Sequence, residues 1–127
     1  MRGYIRVMII VAAAAVTVGT LPRIASSREE IRELRLVARE MTFYVEGQDA
    51  PNPTLRFKAG EHVRLVLRNT DRGMSHDFVV PGWKVRTGLV DGAAETSVTF
   101  RVPDDPGSQP YTCSPHAAMM RGTIEIE

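Results

Sequence analysis

Five short stretches of this chain alternate apolar and polar residues with a period of two, and that alternation narrows the fold more than any other feature. Leu34 and Leu36 alternate with Glu33 and Arg35; Met41, Phe43 and Val45 with Thr42, Tyr44 and Glu46; Val63, Leu65 and Leu67 with His62, Arg64 and Arg68. Val98, Phe100 and Val102 alternate with Ser97, Thr99 and Arg101, and Ile124 and Ile126 with Glu125 and Glu127. A period of two puts one rank of side chains in a core and the other in water, as in a half-buried strand. Turn-forming residues separate the runs: Gly47 to Pro53, Ala59-Gly60, Asn69 to Gly73, Pro81-Gly82, Asp91-Gly92 and Pro103 to Gly107. Short strands at near-regular spacing, with no strong helical pattern after the first residues, predict an all-β antiparallel sandwich or barrel. Two sheets closing over one apolar core suit a chain of about 100 residues.

The first 27 residues read differently. Arg2 and Arg6 are the only charges before a run from Val7 to Val18 that is apolar except for Thr17. A charged start and a short apolar core form the secretory pattern. The run falls short of the roughly 20 residues that cross a bilayer comfortably. Small residues at Ala25-Ser26-Ser27 suit cleavage before Arg28; Tyr4 and Ile5 could instead lengthen the run into an uncleaved anchor. Residues 1–27 are therefore expected to be a signal peptide or N-terminal membrane anchor, and 28–127 the folded domain. The charged segment 28–33 reads as a solvated lead-in. The full chain carries a net charge of +1, but Arg2, Arg6 and Arg23 lie in the leader. The remainder has 13 basic against 15 acidic residues, a net −2. No polybasic surface points to nucleic acid.

The chain has one cysteine. That excludes an internal disulfide and four-cysteine zinc or iron–sulfur sites, and a lone cysteine in an exported protein needs an explanation. It stands in Tyr111-Thr112-Cys113-Ser114-Pro115-His116-Ala117-Ala118-Met119-Met120-Arg121-Gly122, which puts a thiolate, an imidazole and thioethers within eight residues. These soft and borderline donors favour copper over magnesium or calcium. Cys113 and His116 flank a two-residue gap containing proline, a tight loop that points both at one place. A trigonal set of two imidazoles and one thiolate needs a second histidine, and His76 is the candidate, opening the expected strand His76 to Val80. A methionine, Met120 or alternatively Met119, would be the weak axial ligand. His62 alternates with Val63 and Leu65 and is expected on the surface, outside the set. Each residue alone has a plainer role, as core filler or surface side chain; the combination is what carries the reading.

The segment Tyr111 to Gly122 resembles the copper loop of the cupredoxin family, the type 1 (blue) copper proteins of plastocyanin, amicyanin and azurin type. Asn69-Thr70-Asp71 with Gly73 to Phe78 resembles the family's upstream ligand loop, and Ala59 to Val63 with Leu65 to Leu67 the strand before it. The resemblance covers most of residues 34–127. It implies a Greek-key antiparallel β-sandwich with one mononuclear type 1 copper held between loops at one end, and one-electron transfer between larger redox partners. Many members have asparagine after the upstream histidine, where its amide braces the two ligand loops. Here it is Asp77, and an ionised carboxylate accepts but cannot donate. The brace is expected to run differently, through Asn69 or Ser114. Met120-Arg121-Gly122 matches the family's loop ending and favours Met120, whereas the shortest family loops would place the ligand at Met119.

The function expected is electron carriage outside the cytoplasm, in the periplasm or tethered to a membrane by residues 1–27, by a monomer with no enzymatic role. Redox protein partners are expected to dock near His116, among Pro115, Ala117, Ala118 and Met119, with Trp83 either near that end or simply packed. The competing readings are a periplasmic copper carrier or resistance protein, and a copper domain serving a larger redox enzyme.

Overall fold

The computed structural model describes Gly19 and residues 29–127. The segment read as a signal peptide or anchor lies outside these, apart from Gly19. Among the described residues no helix is long and apolar enough to cross a membrane.

The described residues form nine strands: β1 (Ile31–Arg39), β2 (Thr42–Val45), β3 (Leu55–Phe57), β4 (His62–Asn69), β5 (Val79–Val80), β6 (Val85–Arg86), β7 (Glu95–Arg101), β8 (Gly107–Thr112) and β9 (Arg121–Ile126). One sheet has the order β2-β1-β4-β7 and the other β3-β9-β8-β5-β6, and the chain passes repeatedly from one to the other. The result is the all-β Greek-key sandwich expected, with one difference. Each sheet is mixed: β1 runs parallel to β4, and β3 parallel to β9. Alternation reports which face a residue takes, not the direction of its neighbour. β1 also begins earlier than the lead-in reading allowed. Ile31, Arg32 and Glu33 are exposed, yet already pair with His62, Val63 and Arg64 of β4.

The apolar ranks meet between the sheets. Leu34, Leu36, Val63, Leu65 and Leu67 from the first face Tyr111, Ile124 and Ile126 from the second, all in one buried cluster. Complete burial of such side chains contributes roughly 1.5–3 kcal/mol each. Two aromatic groups fill the ends. Phe78 stacks on Tyr111 at 5.3 Å, and Phe43 meets Tyr111 edge-on at 5.5 Å. Phe57 meets Phe100 edge-on, with Trp83 6.0 Å from Phe100. Phe100 pairs with Val63 at the start of β4, so Trp83, partly buried, packs against the core at the end opposite His76. His62 opens β4 at that same end, half-buried with its Nδ1 3.1 Å from Glu29.

The β1–β2 hairpin turns on Glu40 and Met41, whose φ angles are 51° and 59°. Two consecutive left-handed residues between paired Arg39 and Thr42 form the tight hairpin turn usually given to Asn-Gly. The sequence offers no such signal here, and each non-glycine residue in this region is disfavoured by about 1–2 kcal/mol.

Tyr111 and Gly122 face each other across β8 and β9. A Cβ at Gly122 would overlap the Tyr111 ring, which is fully buried and anchored by its hydroxyl, donating to the Pro53 carbonyl at 2.7 Å. Burial also holds the phenol's pKa well above its ordinary value. Gly122→Ala is therefore expected to destabilise the protein by about 1–3 kcal/mol through overpacking. Urea denaturation of the two proteins checks this, and an unchanged midpoint contradicts it.

Candidate metal centre

Three loops meet at one end of the sandwich. The first follows β4. Asn69 continues the inward rank of Val63, Leu65 and Leu67, which puts a polar side chain at the end of a core strand. Its amide donates to the carbonyls of Met74 (2.7 Å) and Val90 (2.9 Å), and its Oδ1 accepts the Asp71 N–H at 2.8 Å. These bonds close the loop from Asn69 to Val90 on itself and leave the amide satisfied inside the protein.

His76 is held within this loop by a two-way backbone bridge to Val90, at 3.0 and 2.8 Å. The expected strand from His76 to Val80 is thus shorter than the alternation suggested: only Val79–Val80 is strand. The Phe78 N–H goes instead to the Thr87 hydroxyl at 2.9 Å. The imidazole of His76 is fully buried.

The second loop joins β8 to β9. Cys113 stands one step past β8, in phase with buried Tyr111, and is itself fully buried. Its N–H donates to the Met120 carbonyl at 3.0 Å, closing the eight-residue loop at its base, while the N–H groups of Met119 and Met120 both donate to the His116 carbonyl. The two methionines separate cleanly. Met120 is 0% exposed and belongs to the core cluster; Met119 is 58% exposed. Met120 is in phase with Ile124 and Ile126 of β9, so the strand's alternation already assigned it inward. That was a stronger signal than the glycine that follows.

The two loops bring three side chains together. Cys113 Sγ lies 3.7 Å from His76 Nδ1 and 3.7 Å from His116 Nδ1, and the imidazole centroids are 4.9 Å apart. All three donor atoms fall within 4.8 Å of one another, an arrangement able to hold a metal ion. The spacing passes a simple test. With bonds to sulfur and nitrogen of about 2.3 and 2.0 Å, as at zinc, a trigonal metal holds the two donors about 3.7 Å apart. His116 is half-buried, while Pro115, Ala117, Ala118 and Met119 around it are exposed.

The electrostatics suit a thiolate ligand that must be created by the metal. Burial pushes the Cys113 thiol above its ordinary pKa; the backbone N–H groups of Asp77 and His116 work against this without reversing it. A bound cation has to displace that proton.

The brace between loops runs through Ser114. Asp77, almost completely buried, accepts the Ser114 N–H at 2.6 Å and the Ser114 hydroxyl at 2.8 Å, with Arg86 3.4 Å away on the outer side. A carboxylate that only accepts is matched here to a residue offering two donors. Two further ties support the site. The Asn52 amide donates to the Met119 carbonyl at 3.0 Å while its oxygen accepts the Phe43 N–H at 3.1 Å, so the loop between β2 and β3 supports the third side of the site. Asp71 lies 2.9 Å from His76 Nε2, on the far side of the ring from Cys113. Partial burial raises the Asp71 pKa, but the N–H groups of Met41 and Glu40 and the His76 ring outweigh it and hold the carboxyl below its ordinary value.

Residues 50–127 match the model of the copper binding proteins of the plastocyanin/azurin family. The chain belongs to that family, its cofactor is one type 1 copper, and its function is of the single-copper electron-transfer kind. Proteins of this kind are generally electron carriers rather than enzymes. Similar solved structures include auracyanin A, a "blue" copper protein from the green thermophilic photosynthetic bacterium Chloroflexus aurantiacus. It is 15% identical over 77% of this chain and 100% of its own, with a TM-score of 0.60. Auracyanin B is 21% identical over 76% of this chain and 88% of its own, at 0.61. Rusticyanin from Thiobacillus ferrooxidans is 25% identical over 76% and 77%, at 0.57. No curated protein matches the sequence.

The Asp77–Ser114 tie gives a prediction for the copper-free protein. Asp77→Ala leaves the Ser114 N–H without its acceptor and is expected to cost about 1–3 kcal/mol. Asp77→Asn keeps one acceptor oxygen and is expected to lose less than half as much. Equal losses in chemical denaturation would contradict the assignment.

Proposed function

We propose that the protein carries single electrons between redox proteins outside the cytoplasm, with a copper that His76 Nδ1, Cys113 Sγ, His116 Nδ1 and the Met120 thioether would hold. The observation that carries this reading is the placement of one buried thiol 3.7 Å from each of two imidazole nitrogens. The copper supplies one reversible electron, between Cu(I) and Cu(II). The chain's part is to keep the donors still, which speeds transfer because little must rearrange. His76 and Cys113 are buried and fixed by backbone bonds on both sides. A carrier built to release its metal would want ligands that open easily, so their burial favours retention and electron transfer over copper delivery.

His116 is the ligand nearest solvent, and its ring edge is the natural exit for the electron. The exposed Pro115, Ala117, Ala118 and Met119 form a small, weakly apolar rim. That suits the brief, small-area encounters typical of electron-transfer partners. The charged start and short apolar run of residues 1–27 support export, and the domain then corresponds to residues 28–127.

Cu(II) added to the copper-free protein is expected to give an intense visible thiolate band that saturates at one copper per chain. A mild reductant abolishes it and an oxidant restores it. A colourless complex formed only with Cu(I) would contradict electron transfer and favour the carrier. The axial assignment is checked separately: Met120→Leu should shift the visible bands and Met119→Leu should leave them unchanged, and the reverse pattern would move the ligand to Met119.

A further inference from the structure

Asp77 and Asp71 both stand behind proposed copper ligands, and their surroundings differ. Asp77 has Arg86 3.4 Å from its carboxylate. Among the described residues no Lys or Arg pairs with Asp71; its carboxylate meets the His76 ring instead. We propose that Asp71 is a positioning and tuning residue of the copper centre: it fixes which nitrogen of His76 faces the metal, and its charge favours the oxidised state. This rests on the ligand set proposed above.

The geometry leaves the neutral His76 ring one tautomer. An ionised carboxylate has acceptors only, so the imidazole nitrogen 2.9 Å from Asp71 Oδ2 must carry the proton. Nδ1, 3.7 Å from Cys113 Sγ, is then left with its lone pair free. A ligating imidazole whose other N–H is given to a carboxylate is more basic and more firmly oriented than one without.

Asp71 is itself fixed from three sides. Its own N–H is bonded to Asn69. Its Oδ1 accepts the Glu40 N–H at 2.6 Å and its Oδ2 the Met41 N–H at 3.0 Å. Those donors come from the hairpin turn whose two non-glycine residues both hold positive φ. The strained turn thus aims two N–H groups at one carboxylate. Gly92 closes the third side, since a Cβ there would lie 2.7 Å from the Asp71 carbonyl oxygen. Strain held in place by its surroundings is a pointer to function, and what this turn serves is the carboxylate behind His76.

The consequence for transfer follows from charge. One electron arrives from a reduced partner protein and leaves to an oxidised one; the Nε2 proton stays on His76 throughout. The oxidised site carries one more positive charge than the reduced site, so a carboxylate against the buried ligand stabilises it more. Asp71 therefore lowers the reduction potential relative to a neutral side chain of the same shape.

The test is Asp71→Asn, made in the full chain and again together with Glu40→Asn and Met41→Gly, which supply the residues this turn prefers and keep the hairpin formed without the carboxylate. Cu(II) affinity is expected to fall about 10–100-fold and Cu(I) affinity less. Each tenfold difference between the two raises the potential by about 59 mV for one electron. Glu40→Asn with Met41→Gly alone is the reference for the triple variant, so the rise in potential due to Asp71→Asn is read on the same turn. A blue, folded Asp71→Asn protein with an unchanged or lower potential overturns the proposal. So does nitrogen NMR of the copper-free wild type at pH 8, if the neutral His76 ring carries its proton on Nδ1 rather than Nε2. That readout needs no copper, so it tests Asp71 separately from the ligand set. A wild type that shows no thiolate–copper band overturns the ligand set, and this proposal with it.

Discussion

Holding one buried thiol midway between two imidazole nitrogens is the requirement around which this end of the molecule is organised. Cys113 and His76 are 37 residues apart in sequence, and neither they nor His116 lie within a strand of either sheet. Loops left to themselves would forfeit the geometry to conformational entropy, at about 1–2 kcal/mol per residue ordered. The sandwich below supplies the first part of the solution. Phe78 stacks on Tyr111 two residues inward from His76 and Cys113, so each ligand grows from a packed aromatic anchor. Phe43 closes the same floor from the first sheet.

Polar side chains supply the rest, each spanning elements that backbone pairing does not join. Asn69 closes the upstream loop, Asp77 ties it to Ser114, Asn52 holds the Met119 carbonyl, and Asp71 joins the β1–β2 turn to His76. Buried polar groups are costly unless satisfied, and satisfied ones specify a single arrangement. The distribution of charge follows the same division of labour. Asp77, which ties the loops, sits beside an arginine; among the described residues Asp71, against the ligand ring, has no Lys or Arg partner. Meanwhile the exposed ion pairs around Arg35 lie on the outer surface of the first sheet, where such pairs contribute little to stability.

The chemistry of the site was legible in the sequence because its donors are rare residue types. One cysteine, three histidines and a C-terminal methionine pair leave few combinations, and His62 was set aside by the parity of its strand. Parity also marks Met120 as inward, through Ile124 and Ile126. The ties were harder to read. Asp71 meets His76 five residues on, which sequence proximity suggests, but its other partners lie 31 and 30 residues away across a turn with no turn-forming residues. Strand direction was hidden for a similar reason: β1 against β4 and β3 against β9 show the same alternation whether parallel or antiparallel. Trp83 illustrates the limit of proximity as a guide. It follows the upstream ligand by seven residues and packs at the far end of the sandwich.

The fold alone sets the donor positions, before any metal arrives. Crystal structures of the copper-free and copper-loaded protein test it most directly. Copper is expected in contact with Cys113, His76 and His116, with both sulfur-to-nitrogen separations staying close to the 3.7 Å of the copper-free arrangement. A loaded structure in which the Cys113–Met120 loop has refolded, or in which the copper is bound elsewhere, would contradict it.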